Sequence, residues 1–186
     1  MQLDPQETAT LSLDFQDGIF GFMPAAEAVI ANAAQVVETS RKNKYSVIHV
    51  GLGFEPGYPE LSSQKSRFAI IKDHGLFIKG SASAQIHKAI FTAGDTTLYK
   101  QRYSGFSENS LQMILRAQGI ENLVLFGIST SGIVLSTLRR AFDLDFHCVV
   151  VKDACFDPDE EVHRVLTEKV FLSQATVVTT KEFSTD

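Results

Sequence analysis

Two side chains of opposite charge close apolar, β-type runs in this chain. Asp14 ends the run TATLSLDF at 8–15, and Lys100 ends TTLYK at 96–100. An amine beside a carboxyl lowers the acid's pKa, and burial raises it. Such a couple can move protons or hold a substrate anion. A third run, LVLFG at 123–127, leads through Ile128-Ser129-Thr130-Ser131-Gly132 into a helical pattern. The first N–H groups of a helix have no intrahelical partner and suit an oxyanion or carboxylate. Strand ends of any α/β domain carry polar residues, so residue type alone leaves a purely structural role open.

The elements that must position these groups follow from periodicity. Tyr45 to Val50, Thr96 to Lys100, Leu123 to Gly127, His147 to Lys152 and Ala175 to Thr180 are short and β-branched or continuously apolar. With the run ending at Asp14 they make six strands. Apolar positions three and four apart predict helices over 25–41, 132–144 and 158–172. Ser107 is read as the cap of a further helix running to Gln118, stopped by Gly119. The stretch 51–94 is irregular, rich in Gly and Pro, with one short helix expected over 84–90. Continuous apolar strands alternating with helices predict an α/β domain, a parallel sheet covered on both faces. In such a sheet ligands bind beyond the strands' C-terminal ends, where Asp14, Lys100 and the 128–132 segment fall.

Composition excludes several classes. The chain has 186 residues, 44% apolar and 21% charged, with net charge −5. This suits one domain, over 1–186, with a full core. It is too apolar for a disordered chain, and no apolar run approaches the ~18–20 residues of a membrane span. The polar start MQLDPQETAT is unlike a signal peptide, so a cytoplasmic location is expected. A pI near 5.5 and no basic run predict no nucleic-acid partner. Two cysteines, Cys148 and Cys155, make neither a disulfide framework nor a zinc set.

Six stretches resemble the isochorismatase-like (cysteine hydrolase) superfamily, in order along nearly the whole chain. They are LDFQDGIF at 13–20, VIHVGLGFEPGYPELS at 47–62, KGSASAQIHKAI at 79–90, GDTTLYKQRYSGF at 94–106, LVLFGISTSGIVLSTLRRAFDLDF at 123–146 and, closing, KDACFDPDEEVHRVL. The resemblance implies a three-layer α/β/α sandwich, Rossmann-like, with a six-stranded parallel sheet. It also implies an Asp–Lys–Cys triad, in which Asp14 is the general base and Lys100 the lysine. The nucleophilic cysteine would stand six positions after Gly127, where this chain has Ile133. The family's oxyanion hole would use the backbone amides of Ser129 and Ile133, with a cis Ile128–Ser129 peptide. Isochorismatases themselves lack the cysteine and cleave a vinyl ether, but carry glycine at the position of Ile133.

Nearby hydroxyls, Ser129, Ser131 and Ser136, are poor replacements for a thiol because their protons are held far more tightly. Cys155 reads as an ordinary small residue and Cys148 as core. The metal-binding Asp-x-His of nicotinamidases is replaced by Gly51-Leu52-Gly53-Phe54, and no two of the five histidines are spaced as a ligand pair. No metal or other cofactor is therefore expected, and His49, inside a strand, reads as a satisfied buried residue. Gln16, Phe20, Tyr103 and Phe106 follow strand ends and are expected to line the pocket, the alternative being that the aromatics pack the loops or a subunit contact. Two functions stand: thiol-free hydrolysis of a small molecule through Asp14 and Lys100, or a non-catalytic homologue that binds a small anion or serves in assembly. The resemblance further implies a homodimer or higher homo-oligomer.

Overall fold

The computed structural model describes residues 3–61 and 68–185. Ser62, the last residue of the 47–62 stretch, falls outside them. The six expected strands are present: β1 (Thr8–Leu13), β2 (Ser46–Leu52), β3 (Thr96–Lys100), β4 (Asn122–Gly127), β5 (His147–Val151) and β6 (Ala175–Val178). They form one sheet in the order β3-β2-β1-β4-β5-β6, and every pairing is parallel. The chain leaves β1 toward β2 on one side and returns to β4 on the other. That reversal opens a crevice at the C-terminal ends of β1 and β4.

Alternation along β1 sets the layers. Thr10 donates its hydroxyl to Ser40 at 2.8 Å, so this face of β1 looks onto α2 (Ile30–Lys42). The opposite face carries Leu13, next to Gly105, whose N–H donates to Thr137 Oγ1 on α5 (Leu135–Asp143) at 2.8 Å. Helices therefore cover both faces, and the buried core runs through β1, β4 and β5. Gly127 is required at the seam: a Cβ there would lie 2.4 Å from Leu13 O. Among the described residues no helix is long and apolar enough to cross a membrane.

Several boundaries differ from the sequence reading. The helix expected over 84–90 is absent. A 3₁₀ turn at Ala82–Ala84 precedes extended chain, because these residues bond the segment after β1: His87 N–H to Phe15 O at 2.8 Å, Asp17 N–H to Gln85 O at 3.0 Å. The short helices lie elsewhere, at α1 (Asp17–Phe22) and α3 (Ala69–Asp73). The helix expected from Ser107 is α4 (Leu111–Ala117); Glu108 has φ +55, which no helix admits, and Asn109 Oδ1 accepts the Leu111 N–H at 3.0 Å. The 158–172 helix divides into α6 (Glu160–Val165), a π turn at Leu166–Val170 and a 3₁₀ turn at Phe171–Ser173. A last helix, α7 (Thr180–Ser184), starts from a Thr179/Glu182 capping box.

Candidate functional site

β1 ends in a left-handed residue, Asp14, at φ +57. An aspartate tolerates this conformation better than most side chains. The turn brings its carboxyl to the end of β3, where Lys100 Nζ donates to Asp14 Oδ2 at 2.9 Å. Asp14 is 6% exposed and Lys100 2%. Asp14 Oδ1 is buried without a hydrogen-bond partner. Burial raises the Asp14 pKa above the usual carboxylate range, outweighing the opposing pull of the Lys100 ammonium. The pair is thus a desolvated acid with one oxygen on a cation and one unmet.

The third part lies beyond β4. The Ile128–Ser129 peptide is cis, and Thr130–Val134 forms a π turn before α5 begins. Such wide turns recur at functional sites. Ser129 O accepts the N–H groups of Gly132 and Val134, both at 3.2 Å. Ile133, 2% exposed, buries its side chain in the core beside this turn. One amide of the turn is already committed: Ser131 N–H donates to Asp157 Oδ2 at 2.7 Å.

Neither thiol is carried by the 128–134 turn, although Cys155 lies beside Gly127 at its start. Cys148, on β5, donates to Phe146 O at 3.6 Å, and Cys155 donates to Val151 O at 3.4 Å. Both are buried, and burial pushes each pKa up to about 12. Ser131 is exposed with its amide on Asp157, and Ser136 is half-buried on α5.

The expected pocket residues separate. Tyr103 is half exposed, 5.6 Å ring to ring from Phe68; a Cβ on Gly132 would sit 3.5 Å from its ring. Gln16 is instead a buried latch. Its Nε2 donates to Leu52 O at 2.8 Å and Ala84 O at 2.9 Å, and its Oε1 accepts Leu52 N–H at 2.7 Å. Gly51 makes room for it, since a Cβ there would meet the Gln16 amide at 2.5 Å. Phe20 packs edge-on to Phe15 and His87. Phe106 stacks on Phe146 at 6.3 Å, a ring that Arg116 also covers. These contacts follow the loop-packing alternative for both phenylalanines.

His49 is buried but only half satisfied. Its Nε2 bonds Asp95 Oδ2 at 3.0 Å, while Nδ1 has no partner. Asp95 also holds Arg41 and the Thr92 N–H. Among the described residues no three His, Cys, Asp or Glu side chains converge to hold a metal ion.

Three side chains around the site were not singled out from sequence: Thr130, Asp157 and His163. Thr130 Oγ1 and His163 Nδ1 share a hydrogen bond at 2.8 Å. Asp157 and His163 fall within the KDACFDPDEEVHRVL stretch, but nothing in its spacing shows that it closes over the 128–134 turn that carries Thr130.

Comparison with known proteins agrees with this architecture. The isochorismatase domain model matches residues 8–182. The ureidoacrylate amidohydrolase RutB of Agrobacterium fabrum is 30% identical, across 97% of this chain and 86% of that protein. A cysteine hydrolase from Pseudomonas syringae superposes with TM-score 0.89 at 17% identity, covering 100% of this chain and 94% of its own. The N-carbamoylsarcosine amidase of Thermoplasma acidophilum gives TM-score 0.75 at 28% identity, over 94% and 96% of the two chains.

Proposed function

Because this chain belongs to the isochorismatase family, matched over residues 8–182, we propose that it is a hydrolase of a small carboxylate-bearing molecule and works without a thiol, through Asp14. The observation that carries this reading is the Asp14 carboxyl. It is buried, raised in pKa, held on Lys100 through Oδ2 and unpartnered at Oδ1. A carboxyl whose pKa is raised holds its proton more tightly and is suited to act first as an acid and then as a base.

On a vinyl ether the reaction begins with proton transfer to carbon. Asp14 gives its proton to the terminal alkene carbon, leaving an oxocarbenium ion. Water adds to that cation and returns a proton to the Asp14 carboxylate. The hemiketal then collapses to a ketone and an alcohol, with one water consumed. Lys100 and the backbone amides of Ser129 and Ile133 hold the substrate's carboxylate and the developing charge. On an N-carbamoyl acid, the kind of molecule named for the Agrobacterium and Thermoplasma relatives, ionised Asp14 would take the proton of the water attacking the carbamoyl carbon and return it to the terminal nitrogen as that C–N bond breaks, freeing ammonia and a carbamate. The raised pKa favours the acid-first reaction. Neither route uses Cys148 or Cys155, whose buried thiols are pushed up to about 12.

The branched, buried Ile133 supports a second reading, a homologue that binds a small anion without turning it over. Turnover of isochorismate, ureidoacrylate and N-carbamoylsarcosine by the wild type and by Asp14→Asn decides between them. Hydrolysis of any of these by the wild type, reduced at least ~100-fold in Asp14→Asn, is expected. Hydrolysis insensitive to Asp14→Asn overturns the proposed site, and binding without turnover favours the second reading.

A further inference from the structure

The amides of Ser129 and Ile133 can receive an anion only if the turn that carries them holds its shape, and that shape is set from outside. Three hydrogen bonds fasten the turn, and all come from the chain after β5. Phe156 O accepts the Thr130 N–H at 2.8 Å. Asp157 Oδ2 accepts the Ser131 N–H at 2.7 Å. His163 Nδ1 shares its bond with the Thr130 hydroxyl at 2.8 Å.

Two of these anchors belong to one small unit. Asp157 Oδ1 accepts the Asp159 N–H at 3.3 Å. Asp159 caps α6 by accepting the N–H groups of Glu161 and Val162, and α6 presents His163 to Thr130. The backbone of His163 is held at both ends, its N–H on Asp159 O at 3.0 Å and its carbonyl accepting from Thr167 Oγ1 at 2.9 Å. Thr130 is wholly buried, and the imidazole is the group that meets its hydroxyl. Burial holds the His163 pKa below the ordinary histidine value, against the pull of Asp157. The ring is therefore neutral at pH 7 and keeps one nitrogen able to accept.

We infer that His163 is a positioning residue for the anion-holding turn, acting through Thr130 to fix the backbone amides of Ser129 and Ile133. The inference rests on the reading under which those amides hold a substrate carboxylate. The bidentate fastening of the turn by Asp157 and His163 is independent of what the site binds.

The test is an amide-resolved NMR experiment on isotope-labelled full-length protein, with acetate as the probe. The set is wild type, His163→Ala, His163→Asn and Thr130→Val. An asparagine can offer a polar atom where Nδ1 stands. In unliganded protein, His163→Ala and Thr130→Val should both shift the Ser129 and Ile133 amide resonances and speed their hydrogen exchange at least tenfold, and His163→Asn should restore both. Acetate should move these two resonances in the wild type, with an affinity about tenfold weaker in His163→Ala and recovered within about threefold in His163→Asn. Unchanged Ser129 and Ile133 resonances in folded His163→Ala would overturn the inference. If His163→Ala does not fold, the same result in Thr130→Val does so. Acetate that leaves both resonances unmoved in the wild type would instead overturn the anion-site reading, while the unliganded comparison still decides the role of His163.

Discussion

Removal of one partner of the Asp14–Lys100 pair should cost far more than removal of both charges. The pair is 2.9 Å apart, with side chains 8% and 2% exposed. Neither charge can be rehydrated in place. Breaking such a pair from one side costs about 3–5 kcal/mol, whereas replacing both ions by neutral groups of similar volume is often neutral or stabilising. Asparagine is the appropriate replacement for Asp14, because it also tolerates φ +57. Lys100→Met alone should therefore lose about 3–5 kcal/mol, a fall in Tm of roughly 6–20 °C for a domain of this size. Asp14→Asn/Lys100→Met should recover most of that loss. The direction with pH follows from the raised Asp14 pKa. Between the unfolded carboxylate value and the higher folded one, the native state holds more protons, so stability falls as pH rises. Without Lys100 the folded value moves higher still, so the Lys100→Met deficit should be smaller at pH 4.5 than at pH 8. Urea unfolding of the four proteins at both pH values measures this. A Lys100→Met loss below about 1 kcal/mol, or a double variant no better than the single, would refute the claim that the pair is desolvated.

Gln16→Leu should lower stability by about 3 kcal/mol or more, because it orphans three buried backbone groups at once; a change in substrate KM with no change in Tm would contradict the latch. His49 is buried with its pKa held down, chiefly by desolvation. Below the ordinary histidine value the unfolded chain takes up a proton that the native state refuses. Stability should fall as pH drops from about 6.5, by up to about 1.4 kcal/mol per pH unit, and His49→Leu should flatten that slope in denaturant titrations between pH 7 and 5. Native wild-type protein should resist alkylation by iodoacetamide, since both thiols are buried. Ile133→Cys, whose side chain would be equally buried, should resist as well; alkylation of the native wild-type protein would mean that a thiol is open to solvent.

Asp14 and Lys100 were legible as candidates because they close apolar runs whose strands were easy to find. Asp14 and Lys100 lie beyond β1 and β3, strands separated by β2, so their meeting across the end of β2 was not implied by the strand pattern. The pocket wall was not legible. Phe106 follows the same strand end as Tyr103, yet its ring turns to Phe146 while Tyr103 stays near Gly132. Nothing within residues 101–106 distinguishes them. Gln16 looked like a polar group beside a site, and only the arrival of Leu52 and Ala84 from distant parts of the chain makes it structural. The false helix over 84–90 has the same origin, since pairing with residues 15–17 overrides local preference. Glu108 shows the reverse case, a single left-handed residue that moves a helix start.

Thiol-free hydrolysis is tested most directly by rates of Cys148→Ala/Cys155→Ala beside Asp14→Asn, on whichever of isochorismate, ureidoacrylate and N-carbamoylsarcosine the wild type cleaves. The cysteine-free protein should keep its kcat/KM within about threefold while Asp14→Asn loses at least ~100-fold. Loss of turnover in the cysteine-free protein, with the fold intact by its melting curve, would contradict thiol-free hydrolysis.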